Sequence, residues 1–104
     1  MIRKAFLMTV NSDAQEEYKC RHDPIWDELQ NALKEHGVYN YSIFLEPQTN
    51  QLFAYVEIES EDLWTQIADT DACRRWWAFM KDLMPTNEDN SPIAKNLDEV
   101  FHLN

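Results

Sequence analysis

Tyr18 and His22 stand four residues apart, the spacing that sets two side chains on one face of a helix. An imidazole titrates near about 6.5 when unperturbed, so His22 can both take and give a proton at neutral pH. It precedes Asp23-Pro24, where a helix must break, and a side chain at such a break can be aimed into a cavity. The neighbouring Asp23 is expected to raise the histidine pKa by favouring the charged form. By position alone, His22 is more simply a residue that hydrogen-bonds near a kink. Tyr18, one turn earlier and able to orient it or share a ligand, adds weight to the chemical reading.

Arg75-Trp76-Trp77 is the second place where residue types suggest chemistry. Adjacent tryptophans on a helix subtend about 100° of arc, so at most one points straight into the core while the other flanks it and can line a pocket. Their faces offer apolar area, and each indole N–H can donate to a hydroxyl. That pairing suits a sugar. The plainer alternative is that both fill the core or meet a second protomer. Little else competes. His36 falls in a last helical turn and His102 in a terminal strand, no two histidines have metal-ligand spacing, and Cys20 and Cys73 stand alone, so neither metal nor cofactor is expected. Sequence does not exclude a disulfide between the two cysteines, but a chain with this much core does not require one. No nucleophile elbow is present.

The elements that must position these residues follow from periodicity and punctuation. Residues 2–10 read as a strand, apolar on both faces. Ser12-x-x-Gln15 has the pattern of a capping box opening a helix that carries Tyr18 and His22. Helix is expected to resume with Pro24 in its first turn, burying Trp26, Leu29, Ala32 and Leu33, and to stop at Gly37. Residues 38–45 read as a strand in which Val38, Asn40, Ser42 and Phe44 alternate with Tyr39, Tyr41, Ile43 and Leu45. A turn over residues 47–50 returns the chain into a strand from Leu52 to Ile58. Helix follows from Ser60 or Glu61, carrying Leu63, Trp64, Ile67 and Ala68 with Trp64 as core, and Thr70 caps a further one carrying Cys73, Trp76, Trp77, Met80 and Leu83 to a stop at Pro85. Residues 97–103 read as a last strand. The order β-α-β-β-α-β is that of a ferredoxin-like α+β domain spanning residues 1–104. Helices cover one face of its sheet. The apolar residues at both parities predict that the other face is buried against a second copy, giving a homodimer with a barrel-like core.

Composition narrows the partners. The 104 residues carry 9 Lys and Arg against 19 Asp and Glu, a net charge of −10, which argues against nucleic acid. A single glycine, Gly37, leaves no loop to cradle phosphates. The N-terminal apolar run is too short for a leader and nothing approaches a membrane span, so a soluble cytoplasmic domain is expected.

Several of these residues coincide with a known pattern. The chain resembles the L-rhamnose mutarotase family over essentially its whole length. The likeness rests on Met1-Ile-Arg-Lys-Ala-Phe6, Tyr18-x-x-x-His22 with Pro24, Asn40-Tyr41, Val56-Glu-Ile-Glu-Ser60, Arg75-Trp-Trp77, Met84-Pro85, Asn90-Ser-Pro92 and Glu99-Val-Phe101. It implies a dimeric α+β barrel that interconverts the α and β anomers of L-rhamnose without a cofactor. It places His22 at the family's proton donor, and Tyr18, Tyr41, Trp76 and Trp77 at its substrate contacts. Cys20 and Asp23 are less typical of the family, although neither falls on a matched site position. The alternatives are a dimeric α/β-barrel monooxygenase-like or haem-handling protein, since fold does not fix function, and a sugar-binding module without catalysis.

Overall fold

The computed structural model describes residues 1–104. Its elements are β1 (Ile2–Thr9), α1 (Gln15–Arg21), α2 (Asp27–Glu35), β2 (Val38–Glu46), β3 (Gln51–Ile58), α3 (Glu61–Gln66), α4 (Asp71–Met80) and β4 (Lys95–Leu97), with 3-10 turns at Ile67–Asp69 and Lys81–Leu83. The four strands form one antiparallel sheet in the order β2-β3-β1-β4, the strand order of the ferredoxin-like arrangement expected from sequence.

The inner face of the sheet is built by cross-strand partners. Phe6 opposes Ala54 and Met8 opposes Leu52, and all four are buried beneath the helices with Val56 and Ile58. From the helix side, Tyr18, Leu29, Ile67, Cys73, Trp76 and Met80 complete this core. Ser60 caps α3 by accepting from the Leu63 N–H, and the Thr70 hydroxyl accepts from the Cys73 N–H at the start of α4. Gly37 ends the helical stretch at φ +75°, in the left-handed region that glycine enters without penalty. The break at residues 22–24 is present, with Asp23-Pro24 in the cis form.

Three expectations need correction. The Ser12 capping box does not form: α1 starts at Gln15 behind Ala14, and the Gln15 amide instead donates to the Pro47 carbonyl and the Asn50 side chain. Those contacts pin α1 to the β2–β3 turn. Pro24 lies outside α2, which begins only at Asp27. The last strand is Lys95–Leu97 rather than 97–103. Its partners are Ala5, Phe6 and Leu7, and an edge strand recognises its neighbour through backbone groups, so the polar Lys95 and Asn96 serve as well as apolar residues. Beyond it the Arg3 guanidinium holds the Glu99 carboxylate at 2.8 Å, and Val100, 94% exposed, packs on nothing. The outer face of the sheet is open in the single chain. Phe44 and Phe53 form a cross-strand pair there, 67% and 42% exposed. Cys20 and Cys73 are both free thiols, the first exposed and the second buried.

Candidate active site

The final turn of α1 determines how His22 is held. The turn tightens at its end, so the His22 N–H donates to the Lys19 carbonyl and the Asp23 N–H to the Cys20 carbonyl. The Tyr18 carbonyl, left without that backbone donor, accepts from the His22 ring at Nδ1, at 2.7 Å. A proton on Nδ1 leaves Nε2 of the neutral ring with a lone pair. The ring is enclosed by aromatics. The Tyr18 ring lies over it at 4.5 Å between centroids, and Trp76 meets it edge-on at 5.1 Å. Burial lowers the His22 pKa, and the hydrogen bond to the Tyr18 carbonyl opposes that shift without overcoming it. The increase expected from Asp23 is therefore not what the structure gives: desolvation wins, and Asp23 is not among the groups acting on the ring.

Tyr41 reaches the same space from the opposite side. It packs against Phe6 at 6.4 Å and against Trp64 at 6.0 Å between ring centroids. The residue is 36% exposed overall, but its hydroxyl end is enclosed, and burial beside Tyr18 and Cys73 raises its pKa. Burial likewise pushes the Tyr18 phenol up to about 12. Both phenols are therefore neutral O–H groups at physiological pH, able to donate as well as accept. Among the residues that are not exposed, no fully buried side-chain polar atom lacks a partner.

These side chains surround one cavity of about 1210 Å³ between the sheet and the helices. His22, Tyr18, Tyr41, Trp76 and Trp77 all line it, so the five residues singled out from sequence come together. The tryptophan pair divides as the 100° argument requires: Trp76 is buried and Trp77 is half-buried at its flank. Trp64 also lines the cavity, although helical spacing reads it as core. So does the segment after Pro85, through Thr86, Asn90 and Ser91. That segment is a tight turn, closed by the Asn87 N–H on the Ser91 carbonyl at 2.8 Å, with Asn90 at φ +71°. The signal for it in the sequence is Asn90-Ser-Pro92, which marks a turn without saying what the turn faces. No three His, Cys, Asp or Glu side chains are grouped to hold a metal ion. No helix is long and apolar enough to cross a membrane.

The cavity thus presents a neutral imidazole with one directed lone pair, two phenol hydroxyls and broad indole surfaces. This set can move a proton on a neutral polyhydroxylated ligand while its apolar faces stack on the tryptophans. Comparison with known proteins gives the family. A family model described as L-rhamnose mutarotase matches residues 3–103. An L-rhamnose mutarotase of Tolumonas auensis is 62% identical over 103 residues, 99% of each chain. The crystal structure of an L-rhamnose mutarotase from Formosa agariphila superposes with a TM-score of 0.92 over the full length of both chains, at 40% identity. A putative antibiotic biosynthesis monooxygenase from Nitrosomonas europaea superposes at a TM-score of 0.65 with 13% identity, covering 97% of this chain and all of that one, a likeness of fold alone.

Proposed function

The chain belongs to the L-rhamnose mutarotase family, and from that premise we propose that it exchanges the α and β anomers of L-rhamnose with Nε2 of His22 as the atom that carries the proton. The observation that supports this role is the Nδ1 contact to the Tyr18 carbonyl, which fixes the tautomer and leaves Nε2 free to react.

In the closed sugar the anomeric hydroxyl oxygen and the ring oxygen are both bonded to C1, so one nitrogen can serve each in turn. Nε2 takes the anomeric hydroxyl proton. The C1–O5 bond then breaks as the carbonyl forms at C1, and the departing ring oxygen receives that proton from Nε2. Rotation about C1–C2 and the reverse sequence close the ring on the other face. The acid of opening is the base of closing, which suits a group whose pKa lies near the working pH. The spontaneous reaction is already measurable, and a placed imidazole typically contributes about 10²–10⁴-fold, so no stronger nucleophile is demanded. In this reading Tyr18 and Tyr41 hold sugar hydroxyls, and Trp76 and Trp77 wall the pocket and contact the C5 methyl. The substrate is uncharged, so the chain's acidity does not repel it.

We also propose that the working form is a homodimer closed through the open sheet face. Leu7, Phe44, Phe53 and Leu97 lie on that face, and a cross-strand aromatic pair left in water is a strong drive to association. Sedimentation at micromolar concentration should give a dimer and Phe44→Lys a monomer; a monomeric wild type refutes this part.

Saturation transfer between the two anomers of L-rhamnose tests the chemistry. His22→Ala should lose about two orders of magnitude or more of the catalysed exchange while keeping its fold by circular dichroism. Exchange at the wild-type rate in that variant sinks the role given to His22. Binding without exchange in the wild type identifies a binding module instead.

A further inference from the structure

One residue beside the site breaks the geometry of its own strand. Residues that oppose one another in an antiparallel ladder point to the same side of the sheet. Val38 opposes the buried Ile58, and Ile43 opposes the buried Ala54, so both face the helices. They are five positions apart on β2, while their partners are four apart on β3. A regular strand places side chains an odd number apart on opposite faces, so β2 must contain one extra residue. It lies between Tyr39, opposite Glu57, and Ser42, opposite Tyr55. Asn40 is the residue there with a left-handed backbone, φ +49°. The other left-handed residues, Gly37, Asn50 and Asn90, sit outside the strands.

We propose that Asn40 is a positioning residue: by adopting the left-handed conformation it creates the bulge that turns Tyr41 into the cavity. The proposal rests on the reading of Tyr41 as a substrate contact. Asparagine is among the few residues other than glycine that enter this region readily, and bulges commonly re-aim a side chain next to a site. With strict alternation from Val38, Asn40 would face the helices and Tyr41 would join Tyr39 on the open face. The start of the strand is held in place. Val38 is buried, and the Glu59 N–H is held by the Gly37 carbonyl at 3.0 Å, whereas Ile43 is half-buried and Leu45 exposed. Loss of the bulge is therefore relieved on the Tyr41 side.

The test compares Asn40→Gly, which keeps the left-handed conformation accessible, with Asn40→Val, whose β-branched side chain opposes it. Asn40→Ala serves as the milder form should the valine variant fail to fold. Two readouts are taken on each: nuclear Overhauser contacts between the Tyr41 and Phe6 rings, and kcat and KM for anomer exchange. The glycine variant should keep the ring contact and stay within about twofold of wild type in kcat/KM. The valine variant should lose the contact and fall roughly tenfold, the scale of one lost ligand hydrogen bond. It should fall no further when combined with Tyr41→Ala. An Asn40→Val or Asn40→Ala protein that folds and keeps the Tyr41–Phe6 contact overturns the proposal, as does equal loss of that contact in Asn40→Gly. If the contacts behave as expected but Tyr41→Ala exchanges anomers at the wild-type rate, the positioning stands and the substrate role of Tyr41 fails.

Discussion

The depressed pKa of His22 makes a prediction of definite sign for the pH profile. If the neutral ring starts the reaction, protonation of Nε2 removes the reactive lone pair. Catalysed exchange, corrected with His22→Ala for the spontaneous and buffer-driven background, should then fall about tenfold for each pH unit below the midpoint. Burial among Tyr18 and Trp76 sets the direction, so the midpoint should lie below the ordinary value of about 6.5. Asp23→Asn discriminates the causes. Were a carboxylate beside the ring in control, its removal would pull the midpoint down; with desolvation in control the midpoint should stay in place. The same shift enters folding. A buried neutral histidine binds its proton later than the unfolded chain does, so its contribution to stability is fully present above about 6.5 and is lost as the pH falls from there through the folded value. Urea unfolding of wild type against His22→Gln should show that loss in this window and nowhere above it. The assay for the rate is saturation transfer across about pH 4.5 to 8.5, about two units either side of the ordinary histidine value. A midpoint at or above the ordinary value, a downward shift in Asp23→Asn, or a rate that rises with acid would refute the reasoning, the last by showing that the charged ring starts the reaction.

Two further outcomes follow from backbone and burial. Gly37→Ala places a methyl group 2.8 Å from Cβ of Glu59 at a φ of +75°, so it should lose about 1–2 kcal/mol from the left-handed conformation alone and more from the contact. Thermal unfolding at fixed protein concentration should fall by at least roughly 4–8 °C, and Gly37→Asn, which tolerates the conformation but keeps the contact, should fall between alanine and wild type. The thiols should separate cleanly under a disulfide reagent in the native protein: exposed Cys20 reacts at once, while buried Cys73, its pKa pushed up to about 11, reacts only on unfolding. Two fast equivalents would show that the wall of the cavity opens at Cys73.

Much of this was legible in the residues because local and long-range signals agree there. Pro24 cannot continue the helix that precedes it, the Ser60 and Thr70 hydroxyls cap the helices that follow them, and Gly37 is suited to its turn. The site was legible to the extent that helical spacing is rigid: Tyr18 and His22 share a face in any α-helix, and adjacent tryptophans must diverge. What stayed hidden depends on partners far along the chain. Gln15 could have closed a capping box by accepting from the Ser12 N–H, but its side chain instead donates to the Pro47 carbonyl and the Asn50 side chain. The apolar 100–103 segment looks more like a strand than Lys95–Leu97, yet pairing with β1 is decided by the backbone. The bulge at Asn40 cannot be seen from alternation, because one left-handed residue silently shifts the phase of all that follow. Trp64 is core by spacing and cavity wall in fact, since periodicity reports which face is inward but not whether that interior is filled.

The acceptor that orders His22 is a main-chain carbonyl, and this affects how the protein can vary. In enzymes where a carboxylate orients the imidazole, one substitution deletes the orienting group. Here every residue type at position 18 supplies the same oxygen, so drift at Tyr18 can alter the cavity wall while the choice of tautomer is inherited unchanged. Screens of point variants should accordingly find many lesions in recognition and almost none in proton placement, outside His22 itself and changes that disturb the last turn of α1.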